Sequence, residues 1–309
     1  HYFKEIERIN IKQGNNKKVI SFCLYDLEKN LCSVGVKNRD YFKGIFVNYE
    51  LAKTVYPDWI IRVYMPYNEP EKYINILRKF KEIEVILFDT SINYTTIRYL
   101  PYDETDISVW LSRDLDSIVN LKEKSAVDEW LNKYNDKELH MMHDCSQHGW
   151  NILAGMFGFK NSEKNKKYKL IDFFLDFCNK EGNVKLRYGF DATVAETFFL
   201  KKNNYIQHYR AGKKLENSVP FPTNKCDGTF VGNIINIEQR YSVMKLEEKY
   251  PVLIEKKSEI YENQQIEKFH YQSWRSNCYL ISDKNDLIMT TDLNSLFGFG
   301  TFRTLNNEG

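Results

Sequence analysis

The sequence lacks any apolar run that approaches the length of a membrane-spanning helix, and it shows no signal peptide. It also lacks internal repeats and low-complexity linkers. His1 stands where an initiating Met is expected, which suggests that the sequence begins inside a longer protein or keeps a tag remnant. Targeting information could therefore lie outside it.

An excess of charge of either sign is absent as well. The 44 Lys and Arg residues are interspersed with 42 Asp and Glu residues, for a net charge of +2, so there is no electrostatic case for binding nucleic acid. The cysteines are scattered without a C-x-x-C pair, which argues against a disulfide framework and favours a reducing compartment. They are Cys23, Cys32, Cys145, Cys178, Cys226 and Cys278.

What is present is the composition of an ordinary soluble globular protein, with 42% hydrophobic and 28% charged residues among 309. Runs of β-forming residues alternate with segments of helical periodicity, which predicts a mostly parallel α/β sheet. The predicted strands are residues 19–25, 59–65, 84–88, 107–111, 139–142 and 205–209. The predicted helices are residues 40–52, 71–82, 120–131, 168–181 and 193–202.

Changes in composition and in hydrophobic pattern divide the chain into three parts. Residues 1–17 are polar and charged, and we predict a loose lead-in there. Residues 18–233 carry the α/β pattern. The pattern changes over residues 234–309, where 246–269 is charged with sparse apolar positions and the last forty or so residues give only short ambiguous runs. We expect a C-terminal extension there that packs on the α/β domain or mediates self-association.

The predicted strand 107–111 leads through Ser112-Arg113 into the pair Asp114 and Asp116. Ligands of open α/β sheets bind just outside the carboxyl ends of the strands. Two carboxylates there can share a hard divalent cation, which prefers oxygen ligands and often keeps substrate phosphates as further ligands. An Asp-rich turn explains the same residues, and a D-x-D element alone is not specific.

Several segments together resemble metal-dependent glycosyltransferases of the GT-A fold, particularly a group found in bacterial polysaccharide loci and large DNA viruses. The Ser-Arg-Asp-x-Asp-Ser element at 112–117 is the specific one, and the resemblance covers about residues 18–233. The supporting segments are residues 20–25, Arg98-Tyr99-Leu100-Pro101, Met142-His143-Asp144 with His148, Ala154-Gly155-Met156-Phe157-Gly158, and residues 196–200.

The resemblance implies a Rossmann-like, mostly parallel sheet flanked by helices. It also implies transfer of a sugar from a nucleotide-sugar donor, which we expect to be UDP-linked, to a glycan or glycoconjugate acceptor. A Mn²⁺ or Mg²⁺ ion would be held by Asp114, Asp116 and His208. The donor would be bound by Leu24, Tyr25, Arg98, Arg113, Asp114 and Lys213, and the catalytic residues would be Asp144 and Glu196.

Most of these residues have a structural alternative. Arg113 could be the counter-charge of the two Asp residues, and His208 could be a satisfied residue at a strand end. Lys213, like Lys214, suits solvated surface as well as a phosphate-binding loop. Thr193-x-x-Glu196 matches a helix capping box, which would use the carboxylate locally.

A zinc cluster is suggested by three further histidines: His140, His143 and His148. No fourth ligand has convincing spacing. The family commonly has Arg-Asp where His143-Asp144 occurs here, and Asp-Gln where Glu196-Thr197 occurs. The acid is therefore retained at each place, but its neighbour is not.

Two rival functions remain open. Residues 114–118 also approximate the nucleophile motif of haloacid-dehalogenase-type phosphatases, although Ser112-Arg113 interrupts the apolar strand which that motif requires. A catalytically inactive glycan-binding module is the second rival. For the transferase we expect a cytoplasmic location, or the host cytoplasm for a viral protein, with no nucleic acid partner.

Overall fold

The computed structural model of the chain describes residues 1–27, 41–162, 168–181, 189–223, 230–233 and 244–246, together with the backbone of 278–281 and 287–290. Its strands are β1 (Phe3–Ile9), β2 (Lys17–Cys23), β3 (Ile60–Pro66), β4 (Glu84–Thr90), β5 (Ile107–Arg113), β6 (Leu139–Asp144), β7 (Met156–Lys160), β8 (Tyr205–Ala211), β9 (Ser218–Val219), β10 (Cys278–Ile281) and β11 (Leu287–Thr290). Its α-helices are α1 (Tyr41–Val55), α2 (Glu71–Lys79), α3 (Leu121–Lys133), α4 (Leu170–Glu181) and α5 (Phe190–Ala195). A 3₁₀ segment covers Tyr94–Asp103, and a π-helical turn, Glu196–Leu200, continues α5.

Strands β1 to β9 form one sheet in the order β1-β4-β3-β2-β5-β7-β6-β8-β9. The pairs among β2, β3, β4 and β5 are parallel, as are β6 with β8 and β8 with β9. Only β1 and β7 run antiparallel to their neighbours in this sheet. The predicted mostly parallel α/β sheet is therefore confirmed, with the four strands predicted first lying side by side.

Apolar residues of the central strands are buried on both faces, as expected when helices cover a parallel sheet. One cluster joins the sheet to α1, α2 and α3, and includes Phe46, Val63, Leu111 and Trp130. The other lies beneath the 3₁₀ segment, α4 and α5, and includes Tyr99, Trp110 and Phe199. Within β5, Val109 and Leu111 belong to the first cluster and Trp110 to the second, because successive side chains of a strand point to opposite faces.

The prediction of a loose lead-in over residues 1–17 was wrong for its first part. Phe3–Ile9 pairs antiparallel with β4 as an edge strand. The register shifts between Glu5 and Glu7, which marks Ile6 as the extra residue of a β-bulge. Lys17 belongs to β2 itself.

Helix α3 begins as its sequence predicts. The side chain of Asn120 accepts a hydrogen bond from the backbone N–H of Glu123 at 2.9 Å and caps the helix. The carboxylate of Glu123 does not complete a capping box, because it is buried against Arg113 and Tyr56. The capping box predicted for Thr193 and Glu196 is absent, since Thr193 lies inside α5.

None of the helices among the described residues is long and apolar enough to cross a membrane. Among the described side chains, Cys23, Cys145 and Cys178 are free thiols. Side chains of the other three cysteines lie outside the described residues.

Candidate active site

The order of the strands reverses beside β2. The chain runs from β2 through β3 to β4 on one side and then places β5 on the other side of β2. Such a reversal opens a crevice at the carboxyl ends of the two strands, where open α/β sheets bind their ligands. Tyr25 follows β2 and Asp114 follows β5, so both border this crevice.

The 3₁₀ segment places an arginine at the same edge. Asn93 caps the segment by accepting from the N–H of Thr95, and Ser21 of β2 donates through Oγ to the carbonyl of Arg98 at 2.6 Å. The thiol of Cys23 donates to the carbonyl of Tyr94 at 2.9 Å. These contacts hold the segment on β2, so the Arg98 guanidinium reaches the end of β5.

Arg98 joins two carboxylates from distant parts of the chain. Its Nη1 bonds to Oδ1 of Asp114, and its Nη2 donates to Oδ2 of Asp191 in α5 at 2.9 Å. Arg98 is 6% exposed, whereas the side chain of Asp114 is 48% exposed. The cluster of Arg98, Asp114 and Asp191 therefore has a buried cation and one carboxylate that faces solvent.

The charges of this cluster depend on one another. Burial raises the pKa of Asp191, Asp114 adds to that effect, and Arg98 opposes it. Burial also works against the charge on Arg98, but the two carboxylates outweigh it, and its pKa lies well above its ordinary value. The guanidinium therefore stays charged and keeps both carboxylates in place.

A glycine makes room for Asp114. A Cβ atom built on Gly155, just before β7, would lie 2.1 Å from Oδ2 of Asp114. Ala154, next to it, accepts a hydrogen bond from Ser112 Oγ at 2.5 Å. The segment before β7 is thus fixed against the end of β5, and only glycine fits at 155. Asp116 lies two residues beyond Asp114 and is 5% exposed.

Arg113 does not point to solvent, where a phosphate would have to bind. It is 1% exposed and donates to the carbonyls of Gly155 at 2.8 Å and Ile118 at 3.2 Å. Its Nη2 lies 3.1 Å from Oε2 of the fully buried Glu123. These contacts favour the structural alternative, in which Arg113 holds the turn that carries Asp114 and Asp116.

Leu24 and Tyr25 take different positions after β2. Leu24 is buried, and its N–H donates to the carbonyl of Tyr64 at 2.9 Å. Tyr25 is half-buried with its ring edge against Tyr94. Burial raises the pKa of Tyr25, and Arg98 and Asp191 act on it at longer range. Tyr25 thus borders the cluster of Arg98, Asp114 and Asp191, whereas the Leu24 side chain belongs to the core.

Asp144 ends β6 in a buried network. Its Oδ1 accepts from Lys122 and from Arg210 at 2.6 Å each, and its Oδ2 accepts from the N–H of Val231 at 2.8 Å. The carboxylate has no exposed surface. These contacts tie α3, β8 and the segment at 231 together, and they favour a structural role. The catalytic assignment of Asp144 stays an untested prediction.

His208 lies within β8, three strands from β5, and is fully buried. Its Nδ1 is 2.8 Å from Nε2 of His140, and its Nε2 is 3.0 Å from Oε2 of Glu129. Burial lowers the pKa of both histidines. Since neighbouring strands are about 4.8 Å apart, His208 is roughly 14 Å along the sheet from β5. The structure does not bring it to the carboxylates.

Lys213 is exposed, and its backbone N–H donates to the carbonyl of His148 at 2.7 Å. Gly212 precedes it with φ of +101°, which favours glycine. Nδ1 of His148 accepts from the N–H groups of Asp144 and Cys145, and burial lowers its pKa to about 4. This loop therefore borders the same sheet edge, beside β6 and β8.

Glu196 lies one turn beyond Asp191, in the π-helical turn. Its Oε1 accepts from Asn151 Nδ2 at 3.1 Å. The acid that Arg98 connects to Asp114 is instead Asp191, which the sequence reasoning missed. The short stretch Gly189-Phe190-Asp191 at the start of the helix was the available signal.

Among the described residues, no group of three or more His, Cys, Asp or Glu side chains is arranged to hold a metal ion. The structure brings together Tyr25, Arg98 and Asp114 of the predicted donor site, and Asp116 lies two residues further along the chain. Asp144 and His208 belong to strands β6 and β8, and Lys213 lies in the loop that follows β8. The metal and the roles of all these residues stay predictions.

No protein-family model matches the sequence, and no curated protein matches it. Solved structures with similarity to this chain include the glycosyltransferase GlyE of Streptococcus pneumoniae TIGR4, at 16% identity and a TM-score of 0.41. That match covers 65% of this chain and 46% of GlyE, less than half the length of that relative.

Two further structures are similar at the same level. One is a glycosyltransferase involved in the glycosylation of the major capsid of PBCV-1, at 13% identity and a TM-score of 0.39, covering 74% of this chain and 99% of the other. The second is 4-diphosphocytidyl-2C-methyl-D-erythritol synthase from Anaerococcus prevotii DSM 20548, at 12% identity and a TM-score of 0.41, covering 75% and 97%. At this level, similarity does not decide the activity of this chain, which has to be argued from its own residues.

Proposed function

We propose that this protein is a glycosyltransferase that moves a sugar from a UDP-linked donor to a glycan or glycoconjugate acceptor. The observation that carries the proposal is the cluster of Arg98, Asp114 and Asp191 in the crevice between β2 and β5. One of its carboxylates faces solvent, although a buried arginine neutralises it in part. A cluster of this kind is suited to a ligand that brings both sugar hydroxyls and negative charge.

The donor set at this edge fits a divalent cation that substrate oxygens help to hold. Asp114 and Asp116 supply two carboxylates, and Mg²⁺ in particular is often bound by one or two carboxylates plus substrate phosphates. Gly155 leaves space beside Oδ2 of Asp114 that any side chain would fill. We leave His208 out of this set, because both of its ring nitrogens hydrogen-bond within the protein.

Glycosyl transfer releases a nucleoside diphosphate, and the bound cation would stabilise its negative charge without a proton donor. Arg98 holds the Asp114 carboxylate in one orientation through its hydrogen bond to Oδ1. Asp191, on the other side of Arg98, presents a carboxylate that can accept hydrogen bonds from sugar hydroxyls. Arg113 fixes the turn between these groups and α3 through its backbone contacts.

The test is release of UDP from a panel of UDP-sugars in the presence of Mn²⁺ and without an added acceptor. We expect slow hydrolysis of at least one donor, because many transferases slowly transfer the sugar to water when no acceptor is present. Asp114→Asn should reduce it about a hundredfold or more, a loss of about 2.7 kcal/mol of transition-state stabilisation.

Asp106→Asn is the matched control. Asp106 pairs with Lys17 at the amino ends of β2 and β5, away from the crevice. Its replacement by Asn removes the same charge as Asp114→Asn does. It should hydrolyse the donor at the wild-type rate. No hydrolysis of any donor by the wild type, or equal loss in both variants, would argue against the proposal.

A further inference from the structure

One exposed aromatic side chain lies beside the cluster. Trp150 is 44% exposed and precedes β7 by six residues. A Cβ atom built on Gly189 would lie 3.0 Å from Cη2 of its indole, so the ring packs on the backbone at the start of α5. Gly189 has φ of +75° and is two residues from Asp191.

The segment that carries Trp150 is fixed at both ends. Nε2 of His143 donates to the carbonyl of Trp150 at 2.9 Å. Five residues on, Gly155 lies against the carboxylate of Asp114. The segment thus runs from the indole on α5 to Asp114 and forms one wall of the crevice.

Polar groups stand next to the indole. Asn151 follows it in the chain and donates through Nδ2 to Oε1 of Glu196 at 3.1 Å. Neither residue is fully buried. A fixed aromatic surface with a few polar groups at its border is the usual composition of a site for a small organic ligand. The face of an indole carries negative charge density, which suits the polarised C–H groups of a sugar ring.

We propose that Trp150, with Asn151 and Glu196 beside it, binds a sugar ring of the acceptor. The inference rests on the proposed function for the identity of that ligand. The acceptor ring stacks on the indole, and its hydroxyls exchange hydrogen bonds with the Asn151 amide and the Glu196 carboxylate. The acceptor is thereby held on the α5 side of Asp114 and Asp191.

The experiment measures binding to a printed glycan array with UDP and Mn²⁺ present, and then the dissociation constant of the strongest glycan. Trp150→Ala should raise the dissociation constant of that glycan about tenfold or more, the equivalent of at least about 1.4 kcal/mol of binding free energy. Trp150→Phe should retain most of the affinity, because it keeps an aromatic face. Tyr168→Ala is the control, since Tyr168 is 74% exposed and lies beside α4.

UDP affinity, measured by calorimetry in all four proteins, separates this inference from the proposed function. We expect it to be unchanged in every variant. Equal glycan affinity in wild type and Trp150→Ala, an equal loss in Tyr168→Ala, or no glycan bound by the wild type would overturn the inference. Absence of UDP binding in the wild type, with glycan binding still dependent on Trp150, would overturn the proposed function and leave the sugar subsite standing.

Discussion

At the residue scale, the structure and the sequence point to different functional acids: the structure favours Asp191, and the sequence predicts Glu196. Replacement of Asp191 tests which of the two is correct. Asp191→Asn keeps the shape of the side chain and removes its charge from Arg98. We expect donor hydrolysis to fall about tenfold or more, a loss of at least about 1.4 kcal/mol. Unfolding in urea should change by less than about 2 kcal/mol, because Arg98 keeps Asp114 as a partner.

Glu196→Gln provides the comparison for Asp191→Asn. Glu196 accepts a hydrogen bond from Asn151, whereas the Arg98 guanidinium bonds to Asp114 and Asp191. The rate of donor hydrolysis should therefore be closer to wild type than that of Asp191→Asn. The opposite ranking would return the catalytic assignment to Glu196, where the sequence reasoning placed it.

The sequence could place Asp114 and Asp116 because both follow a run of β-forming residues directly. It could not place Asp191, because its role depends on Arg98, which lies 93 residues earlier in the chain. The same limit applies to His208. The family resemblance implied a metal ligand at this position, but in the fold both ring nitrogens of His208 lie within hydrogen-bond distance of Glu129 and His140.

His148 gives a prediction about pH. Two backbone N–H groups donate to its Nδ1, so protonation would break both bonds. Its pKa is about 4 in the folded protein against an ordinary 6.5, and between these values the folded state binds fewer protons than the unfolded state. The contribution of His148 to the free energy of unfolding, at most about 3 kcal/mol, should therefore be fully present above pH 6.5. It should be lost as the pH falls from about 6.5 to about 4.

His148→Asn retains an acceptor near the Nδ1 position but does not titrate. Urea unfolding from pH 7 to pH 4 should show a smaller loss of stability in this variant than in the wild type. Parallel curves for the two proteins would show that His148 is not the source of the pH dependence.

At the element scale, Arg113 and Glu123 connect the end of β5 to α3. Arg113→Met should destabilise the fold by about 3–5 kcal/mol, because it leaves a buried carboxylate without its cation. Burial already raises the pKa of Glu123, so Glu123→Gln added to that variant should restore part of the loss. Urea unfolding of the single and double variants measures both effects.

Lys180→Met is the control for that experiment. Lys180 forms an exposed ion pair with Asp176, which contributes about 0–1 kcal/mol. A loss of less than 1 kcal/mol in Arg113→Met, matching the control, would contradict the role given to Arg113.

The elements that the sequence predicted are those with a clear apolar pattern. Strands β2 to β5 carry continuous runs of β-forming residues, because both of their faces are buried. Strand β1 was missed, since its apolar residues Phe3, Ile6 and Ile9 are three apart instead of two. The bulge at Ile6 explains that spacing: it reverses the alternation, so Phe3 packs with one core cluster and Ile9 with the other.

At the scale of the whole molecule, part of the C-terminal extension belongs to the core. Leu246 is 1% exposed within the cluster that joins the sheet to α1, α2 and α3, and Met244 packs against it. Most of residues 234–309 lie outside the described residues, so the boundary at 233 stays a prediction.

Truncation after residue 233 tests that boundary. It should reduce soluble yield and stability because it uncovers the core beneath Leu246, while the soluble fraction should still bind UDP. Leu246→Ala should cost about 2–5 kcal/mol in the full chain, in the same direction. A truncated protein as stable as the full chain would show that the extension does not support the α/β domain.

The central claim is that Asp114 and Asp116, which follow β5 and border the crevice between β2 and β5, hold a nucleoside diphosphate through a divalent cation. The most direct test is calorimetric titration of UDP into the wild type and Asp116→Asn, with and without Mn²⁺. We predict that Mn²⁺ strengthens UDP binding by the wild type about tenfold or more and that Asp116→Asn loses this gain, a difference of at least about 1.4 kcal/mol. Equal affinity and equal metal dependence in the two proteins would contradict the claim, and residues 114–117 would then be only a turn at the end of β5.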